Sequence, residues 1–289
     1  MRFSLLAALA ACALAAPRSR GGSPAKTSAT SERQRRLYDR GCLFSPEGRI
    51  YQVEYAEKNV ARGSFAAGAV APDGVALAAV RSAHARSVPG ALLEARWRER
   101  VHRVDDGIAC VACGLVPDAL QLLAALRDFC RRHRQTWGEA PPVEACARHL
   151  GRLARAATQR AGGRPYGAAF LIGGFDENSS EPRLFRTDPS GAYEAYGVGG
   201  VATAGAAPGD STITELEDAA AACADVDGAT DAAYAAAIAA AASSPPADRS
   251  DAVATDVELA VLRPSGCVIC DAVELAGRFE RSSPAAEES

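Results

Sequence analysis

Lysine is nearly missing from this chain, with only Lys26 and Lys58 in 289 residues, so arginine carries almost all of its positive charge. That bias reads as base composition of the coding sequence rather than as a functional choice. The arginines are scattered along the sequence and are not interleaved with aromatics, and the formal net charge is −3. A stripe that grips a phosphate backbone is therefore not expected, and nucleic acid is a poor candidate for a partner. The apolar run Phe3 to Leu14 falls short of the roughly 20 residues that a membrane-spanning helix needs, so no anchor is expected either. Histidine is sparse. His84, His102, His133 and His149 lack the paired spacing of a metal motif. Gly173-Gly174 and Gly199-Gly200 lack the strand-loop-helix context of a phosphate cradle, and Asp105-Asp106 reads as a turn at a strand end. No metal and no cofactor is expected.

What is present suffices for one sizeable core, since 48% of the residues are hydrophobic and no low-complexity tract divides the chain. The first residues look like an address. Arg2 is followed by the apolar run, and Ala13-Leu14-Ala15 is a small-x-small cleavage pattern. Pro17 to Arg36 has the Ser, Gly, Thr and Arg composition of a disordered or transit-like segment. The nine cysteines do not settle the compartment. Cys110/Cys113 and Cys267/Cys270 have the Cys-x-x-Cys spacing of a zinc site. Both pairs lie in segments that read as strands, where residues three apart point to opposite faces, so buried, reduced cysteines are expected.

Hydrophobic patterning gives the order of elements. Phe65–Val70 and Val75–Val80 flank the turn Ala71-Pro72-Asp73-Gly74, and Val101–Val104 and Ile108–Cys113 flank Asp105-Asp106-Gly107. An Arg-rich connection, Ser82 to Arg98, separates the two hairpins. Helical spacing then appears in Ala119, Leu122, Leu123, Leu126 and Cys130, and again in Val143, Cys146, Leu150, Leu153 and Ala157. Their short link, Gly138 to Pro142, predicts an antiparallel pair. Strands follow at Ala168–Phe175, Arg183–Arg186 and Tyr193–Tyr196, the last two joined by the turn Asp188-Pro189-Ser190-Gly191. A helix with Ser211 as N-cap and a helix over Asp231–Ala242 come next. The hairpin Val257–Leu262 with Cys267–Asp271, a short C-terminal helix and a Ser-rich tail complete the chain. This is the order of an α+β fold in which helix layers cover two packed sheets.

The most informative stretch is Tyr38 to Ala56. Ser45-Pro46-Glu47-Gly48 has Pro and Gly where a tight turn wants them. From Ile50, the residues Val53, Ala56 and Val60 recur at helical spacing, with Tyr51 and Tyr55 on a neighbouring row, and Gly63 is expected to close the helix. Tyr38-Asp39-Arg40, Ser45-Pro46-Glu47-Gly48-Arg49 and Gln52-Val53-Glu54-Tyr55-Ala56 together resemble the N-terminal signature of proteasome alpha-type subunits. Gly41-Cys42-Leu43 supplies three residues where the family's pattern has four. Asp73-Gly74-Val75, Gly114-Leu115-Val116-Pro117-Asp118-Ala119, Arg164-Pro165-Tyr166-Gly167 and Thr187-Asp188-Pro189-Ser190-Gly191 extend the likeness, which runs from Tyr38 to Glu280 and is nearest the alpha type-4 kind. Tyr196-Gly197-Val198 and Thr203-Ala204-Gly205 depart from it, so that region is expected to pack differently.

The resemblance implies a four-layer α-β-β-α sandwich of the Ntn-hydrolase kind over residues 34–281, with 1–33 and 282–289 as extensions. It implies a non-catalytic subunit that builds the outer seven-membered ring of the 20S proteasome, gates entry and docks regulators in ubiquitin-dependent degradation, in cytoplasm and nucleus. The implied partners are other alpha and beta subunits and the C-terminal tails of a regulatory ATPase, with no membrane. Tyr38, Asp39, Pro46 and Tyr55 would form the gate cluster, and Arg100 with Gly114 the regulator pocket. Active beta-type chains expose an N-terminal nucleophile supported by an acid and a lysine; their register falls here on Ser64, Val80 and Arg100. Valine cannot titrate and arginine stays charged, so no catalytic residue is expected. Two other readings stay open: a hydrolase that uses Ser64, and a leader-bearing secreted or organellar binding protein of the same fold.

Overall fold

Two runs of small apolar residues, Ala-Ala-Gly-Ala-Val-Ala and Gly-Val-Ala-Leu-Ala-Ala-Val, set the centre of the molecule. They form β1 (Ala66–Ala71) and β2 (Gly74–Val80), and they do not alternate polar with apolar because both of their faces are covered. The computed structural model describes residue 38 and residues 41–81, 99–160, 162–177, 179–206, 210–243 and 257–270, the side chains of 241–243 and 270 excepted. The leader-like segment, Asp39, the whole Arg-rich connection with His84, and the C-terminal helix and tail lie outside these residues.

In chain order the elements are α1 (Tyr51–Ala61), β1, β2, β3 (Val101–Asp105), β4 (Ile108–Gly114), α2 (Val116–Trp137), α3 (Val143–Gln159), β5 (Ala168–Phe175), β6 (Pro182–Thr187), β7 (Tyr193–Tyr196), β8 (Val201–Ala204), α4 (Asp210–Ala222), α5 (Val226–Ser243), β9 (Val257–Arg263) and β10 (Gly266–Cys270). The strands form two five-stranded sheets in the orders β10-β9-β2-β1-β8 and β3-β4-β5-β6-β7, and every pairing is antiparallel.

Three apolar layers follow from strand alternation. Val75, Leu77, Val111, Leu171, Leu184 and Leu262 fill the space between the sheets. The other face of the second sheet, with Ile108, Phe170 and Ile172, packs on Leu122, Leu126, Cys146 and Leu150 of α2 and α3. The outer face of the first, with Ala76, Leu259 and Val261, packs on Val226, Ala233 and Tyr234 at and within α5. The result is the expected α-β-β-α sandwich. Cys110 and Cys113 fall in different layers, one toward the helices and one between the sheets, as strand alternation requires.

Some expectations need correction. Residues 201–204 are a strand, β8, that extends the first sheet by pairing Ala66 with Ala204, although hydrophobic patterning predicts no strand there. Ser211 is not an N-cap but lies inside the first turn of α4, which already includes Asp210. Helix α5 starts earlier than Asp231, because the Asp225 carboxylate accepts the Gly228 N–H at 2.9 Å and the Thr230 hydroxyl donates to the Val226 carbonyl at 2.6 Å. Cys110, Cys113, Cys130 and Cys146 are buried thiols with no disulfide, Cys130 and Cys146 sharing a hydrogen bond at 3.7 Å, whereas Cys42, Cys223 and Cys267 are only half-buried.

Candidate functional site

The turn ahead of α1 forms as its residues dictate. The Gly48 N–H donates to the Ser45 carbonyl at 2.8 Å, the Ser45 N–H to the Arg49 carbonyl at 2.8 Å, and Gly48 takes the left-handed φ of +76°. Ser45 is buried while Pro46 faces out. The Arg49 guanidinium grips Glu54 through two bonds of 2.6 Å and lies 5.6 Å from the centre of the Tyr51 ring. The pair holds the Arg49 guanidinium above and the Glu54 carboxyl below their ordinary ranges, chiefly through that hydrogen bond.

Helix α1 buries Tyr51, Ala56 and Val60, with Val53 only half-buried. Tyr51 lies about half a turn round the helix from Val60, so the buried positions are not the single stripe that the spacing predicts. Val60 reaches the layer between the sheets, a burial worth roughly 1.5–3 kcal/mol. Tyr55 points away from the sandwich, 44% exposed, with the Lys58 ammonium 5.8 Å from its ring centre. The expected gate residues therefore divide: Pro46 and Tyr55 are outward, Tyr38 is half-buried, and Asp39 lies outside the described residues. Leu43 and Phe44 stand beside them, 59% and 70% exposed.

The end of α1 corrects the expected role of Gly63. The cap residue is Arg62 in right-handed conformation, and the Gly63 N–H returns to the Val60 carbonyl at 2.8 Å. Gly63 is needed for space instead. A Cβ there would stand 2.7 Å from the backbone nitrogen of Gly114. Gly114 itself has φ +98°, and a side chain on it would overlap the Gly167 carbonyl oxygen. That oxygen accepts the Asn59 side-chain amide at 3.2 Å and the Leu115 N–H at 2.8 Å. The Gly63 carbonyl accepts the Ala206 N–H at 2.9 Å. Helix and strand ends are thus locked together where α1 joins β1, directly before Ser64.

Beneath α1 opens a cavity of about 300 Å³, lined by Glu57, Val60, Phe65, Ala169, Arg186, Asp188, Thr203 and Ala204 among others. Burial first, then the negative charges of Asp188 and Glu54, pushes the Glu57 carboxyl above its ordinary range. Ser64 is half-buried. Val80 donates its N–H to the Phe65 carbonyl at 2.9 Å, while its side chain packs into the clusters under α4 and α5. It supplies no polar atom to Ser64. The half-buried Arg100 lines a separate small pocket with Glu99, His102, Ala112, Val116, Ala119 and Leu120. Gly114 is not part of that lining; it lies at the junction with α1.

Two features of the structure are not predicted by the sequence pattern. Glu258, 2% exposed, takes the Arg81 Nε at 2.6 Å and the backbone N–H groups of Arg100 and Val101 at 2.7 and 2.9 Å. One buried carboxylate thereby ties β9 of the first sheet to the start of β3 in the second. A lone acid in the strand Val-Glu-Leu-Ala-Val-Leu-Arg is the available signal. Asp118 links two of the family-like motifs, accepting Arg164 twice, at 2.6 and 2.7 Å, and the Gly167 N–H at 2.9 Å. The Arg164 hydrogen bonds hold its carboxyl below the usual range. His102 is buried beside Arg127 and Arg100, and burial first, then those charges, lowers its pKa to about 4. Among the described residues no three His, Cys, Asp or Glu converge as a metal site, and no helix is long and apolar enough to cross a membrane.

Comparison with known proteins meets this geometry at both ends. The family described as proteasome subunit matches residues 60–244, and the N-terminal signature of A-type proteasome subunits matches residues 38–58. The chain is 42% identical over 170 residues to the proteasome alpha 2 subunit of Haloferax volcanii, covering 57% of this chain and 66% of that protein. It is 42% identical over 166 residues to the proteasome alpha subunit of Methanocaldococcus jannaschii, covering 56% of this chain and 61% of the relative. Similarity to the proteasome alpha 2 subunit of Haloarcula marismortui is 39% over 171 residues, 58% and 67% of the two chains. The match to the first two relatives spans a little under two-thirds of their length.

Proposed function

The chain belongs to the proteasome subunit family and carries the alpha-type N-terminal signature, and from that premise we propose that it is a non-catalytic alpha-type subunit of the 20S core particle, a threonine-type endopeptidase complex. Its work is to build the outer seven-membered ring with other alpha and beta subunits, to control substrate entry, and to dock regulators in ubiquitin-dependent protein degradation. Residues 34–281 are the alpha-type domain, and residues 1–33 are not used for secretion in a chain that works in cytoplasm and nucleus. Tyr38, Asp39, Pro46 and Tyr55 serve the gate. Arg100 and Gly114 serve the pocket for the C-terminal tails of a regulatory ATPase.

The observation that carries this reading is the attachment of α1. Nucleophilic catalysis of the family's beta type needs a free amine on the first residue of β1's approach, with a general base at hand. Here the Val60 side chain is in the core, Asn59 is bonded to Gly167, and Gly63 is bonded to Ala206, so α1 is packed in place on the chain before Ser64. The residue at the acid's register, Val80, is apolar and engaged elsewhere. The chain isolated from its own cells should run at the mass of a four-ring particle, in the cytosolic and nuclear fractions. A monomer, or recovery only from an organelle lumen, contradicts the reading.

A further inference from the structure

The buried thiols gather in one layer of the sandwich. Of the four buried cysteines among the described residues, Cys110, Cys130 and Cys146 lie where α2 and α3 cover the second sheet, and Cys113 lies between the sheets. Cys130 of α2 and Cys146 of α3 face each other across the helix pair with their Sγ atoms 3.7 Å apart, which is van der Waals contact. A disulfide brings its sulfurs to about 2.05 Å, so bond formation asks for an approach of about 1.7 Å, which side-chain rotation and a small closing of the helices supply. The register of the helices is held beside the pair. The Phe129 ring, next to Cys130, stacks on the His149 ring, three residues beyond Cys146, with centroids 4.4 Å apart and planes 11° from parallel. Cys110 is the rival partner. Its strand is paired on both sides, with His102 opposite on β3 and Ile172 on β5, and burial pushes its pKa up to about 12.

We propose that Cys130 and Cys146 are a redox-sensitive staple, a dithiol that a peroxide closes to a disulfide, and that the closed bond locks α2 to α3. One sulfur attacks a peroxide oxygen, the O–O bond breaks, and a water leaves with a sulfenic acid formed on that cysteine. The other sulfur attacks the sulfenic sulfur, forms the S–S bond and expels a second water. Two thiols are thereby oxidised and one peroxide is reduced to two waters. The place of the pair in the fold gives it access. Cys146 lies in the first turn of α3 and Cys130 two turns before the end of α2, so the pair sits at the linked end of the helix hairpin, where local opening exposes it without unfolding the sandwich. The hydrogen bond with Cys130, then burial, raises the pKa of Cys146, which keeps the closed hairpin slow to react. The two cysteines are 16 residues apart in sequence, and a bond across that separation constrains the unfolded chain strongly. The staple is internal to the chain and does not depend on the function proposed above.

The test uses the purified full chain, first reduced and then treated with hydrogen peroxide. After alkylation under denaturing conditions and tryptic digestion, mass spectrometry should find the Cys130 peptide, Asp128–Arg131, joined to the Cys146 peptide, Gln135–Arg148. The thermal midpoint of the oxidised chain should lie about 6–12 °C above that of the reduced chain, and dithiothreitol should abolish both the link and the rise. Cys130→Ala and Cys146→Ala should show neither, and Cys110→Ala should keep both. The parent chain alone decides the matter where a variant does not fold. Recovery of Cys130 and Cys146 as alkylated thiols under peroxide that oxidises the half-buried Cys42, Cys223 and Cys267 overturns the proposal. A link through Cys110, a sulfinic acid at Cys130 in place of a link, or a link without a rise in the midpoint overturns it equally.

Discussion

Replacing Glu258 should be among the most damaging single changes in this chain. Its carboxylate is buried and receives three donors, the Arg81 guanidinium and the N–H groups of Arg100 and Val101. In Glu258→Ala both amides lose their acceptor, at about 1–3 kcal/mol each, and Arg81, 18% exposed, loses its bond to this carboxylate. Removing one member of a buried pair costs about 3–5 kcal/mol in general, and the partial access of water to Arg81 points to the lower end, about 3 kcal/mol. For a domain of this size each kcal/mol moves the thermal midpoint by roughly 2–4 °C, so a fall of about 6–12 °C is expected. Glu258→Gln keeps the shape and one acceptor and should lose about half as much. The assay is urea unfolding of the purified chain followed by circular dichroism. A Glu258→Ala protein within 1 kcal/mol of the parent refutes the argument, because it means that the start of β3 is held by something other than this carboxylate.

Gly114→Ala forces a side chain onto a residue with φ +98° and against the Gly167 carbonyl, and should cost about 3 kcal/mol or more, whereas Gly107→Ala, with 3.6 Å of room, should cost under about 1 kcal/mol; equal losses in an unfolding assay contradict the packing of α1 on β4. His102, with its pKa lowered to about 4, binds a proton more weakly folded than unfolded, so stability should fall with decreasing pH between about 6.5 and 4, by up to about 1.4 kcal/mol per unit. His102→Gln should remove that slope, and an unchanged pH profile counts against the burial of a neutral imidazole. Asp118 has its carboxyl depressed, so it contributes stability that is present above the ordinary aspartate range and lost as pH falls through the lower folded value. Asp118→Asn should therefore be weakest relative to the parent at neutral pH and approach it in acid. A ring that carries Arg100→Ala should bind regulatory tail peptides more weakly, by about 2–5 kcal/mol if the guanidinium meets their carboxylate in a closed pocket, and binding equal to the parent removes Arg100 from that role.

The sandwich is legible in the sequence because its strands are short apolar runs bounded by Pro, Asp and Gly turns, and because α2 and α3 repeat at helical spacing. Ala119, Leu122, Leu123, Leu126 and Cys130 are all buried as that spacing predicts. β8 is not legible: Val-Ala-Thr-Ala is too short and too weakly patterned, and its partner β1 is distant in sequence. The turn at Ser45–Gly48 can be read because Pro and Gly act locally. The packing of α1 cannot. Which of Tyr51, Val53 and Ala56 turns inward depends on where β4, β5 and the Gly63–Gly114 contact place the helix, and no periodicity carries that. Only likeness joins Arg100 to Gly114; in space β4 carries Gly114 to the junction with α1 while Arg100 faces α2.

A chain whose α1 stays attached is a scaffold, and one that sheds it is a hydrolase. Intact mass of the purified protein, measured after treatment with an electrophile that labels N-terminal nucleophiles, separates the two directly. The Gly63–Ser64 bond should be whole and no label should be taken up, since the packed helix withholds the free amine and Val80 offers no orienting carboxylate. A fragment that begins at Ser64 and carries the label would contradict the scaffold.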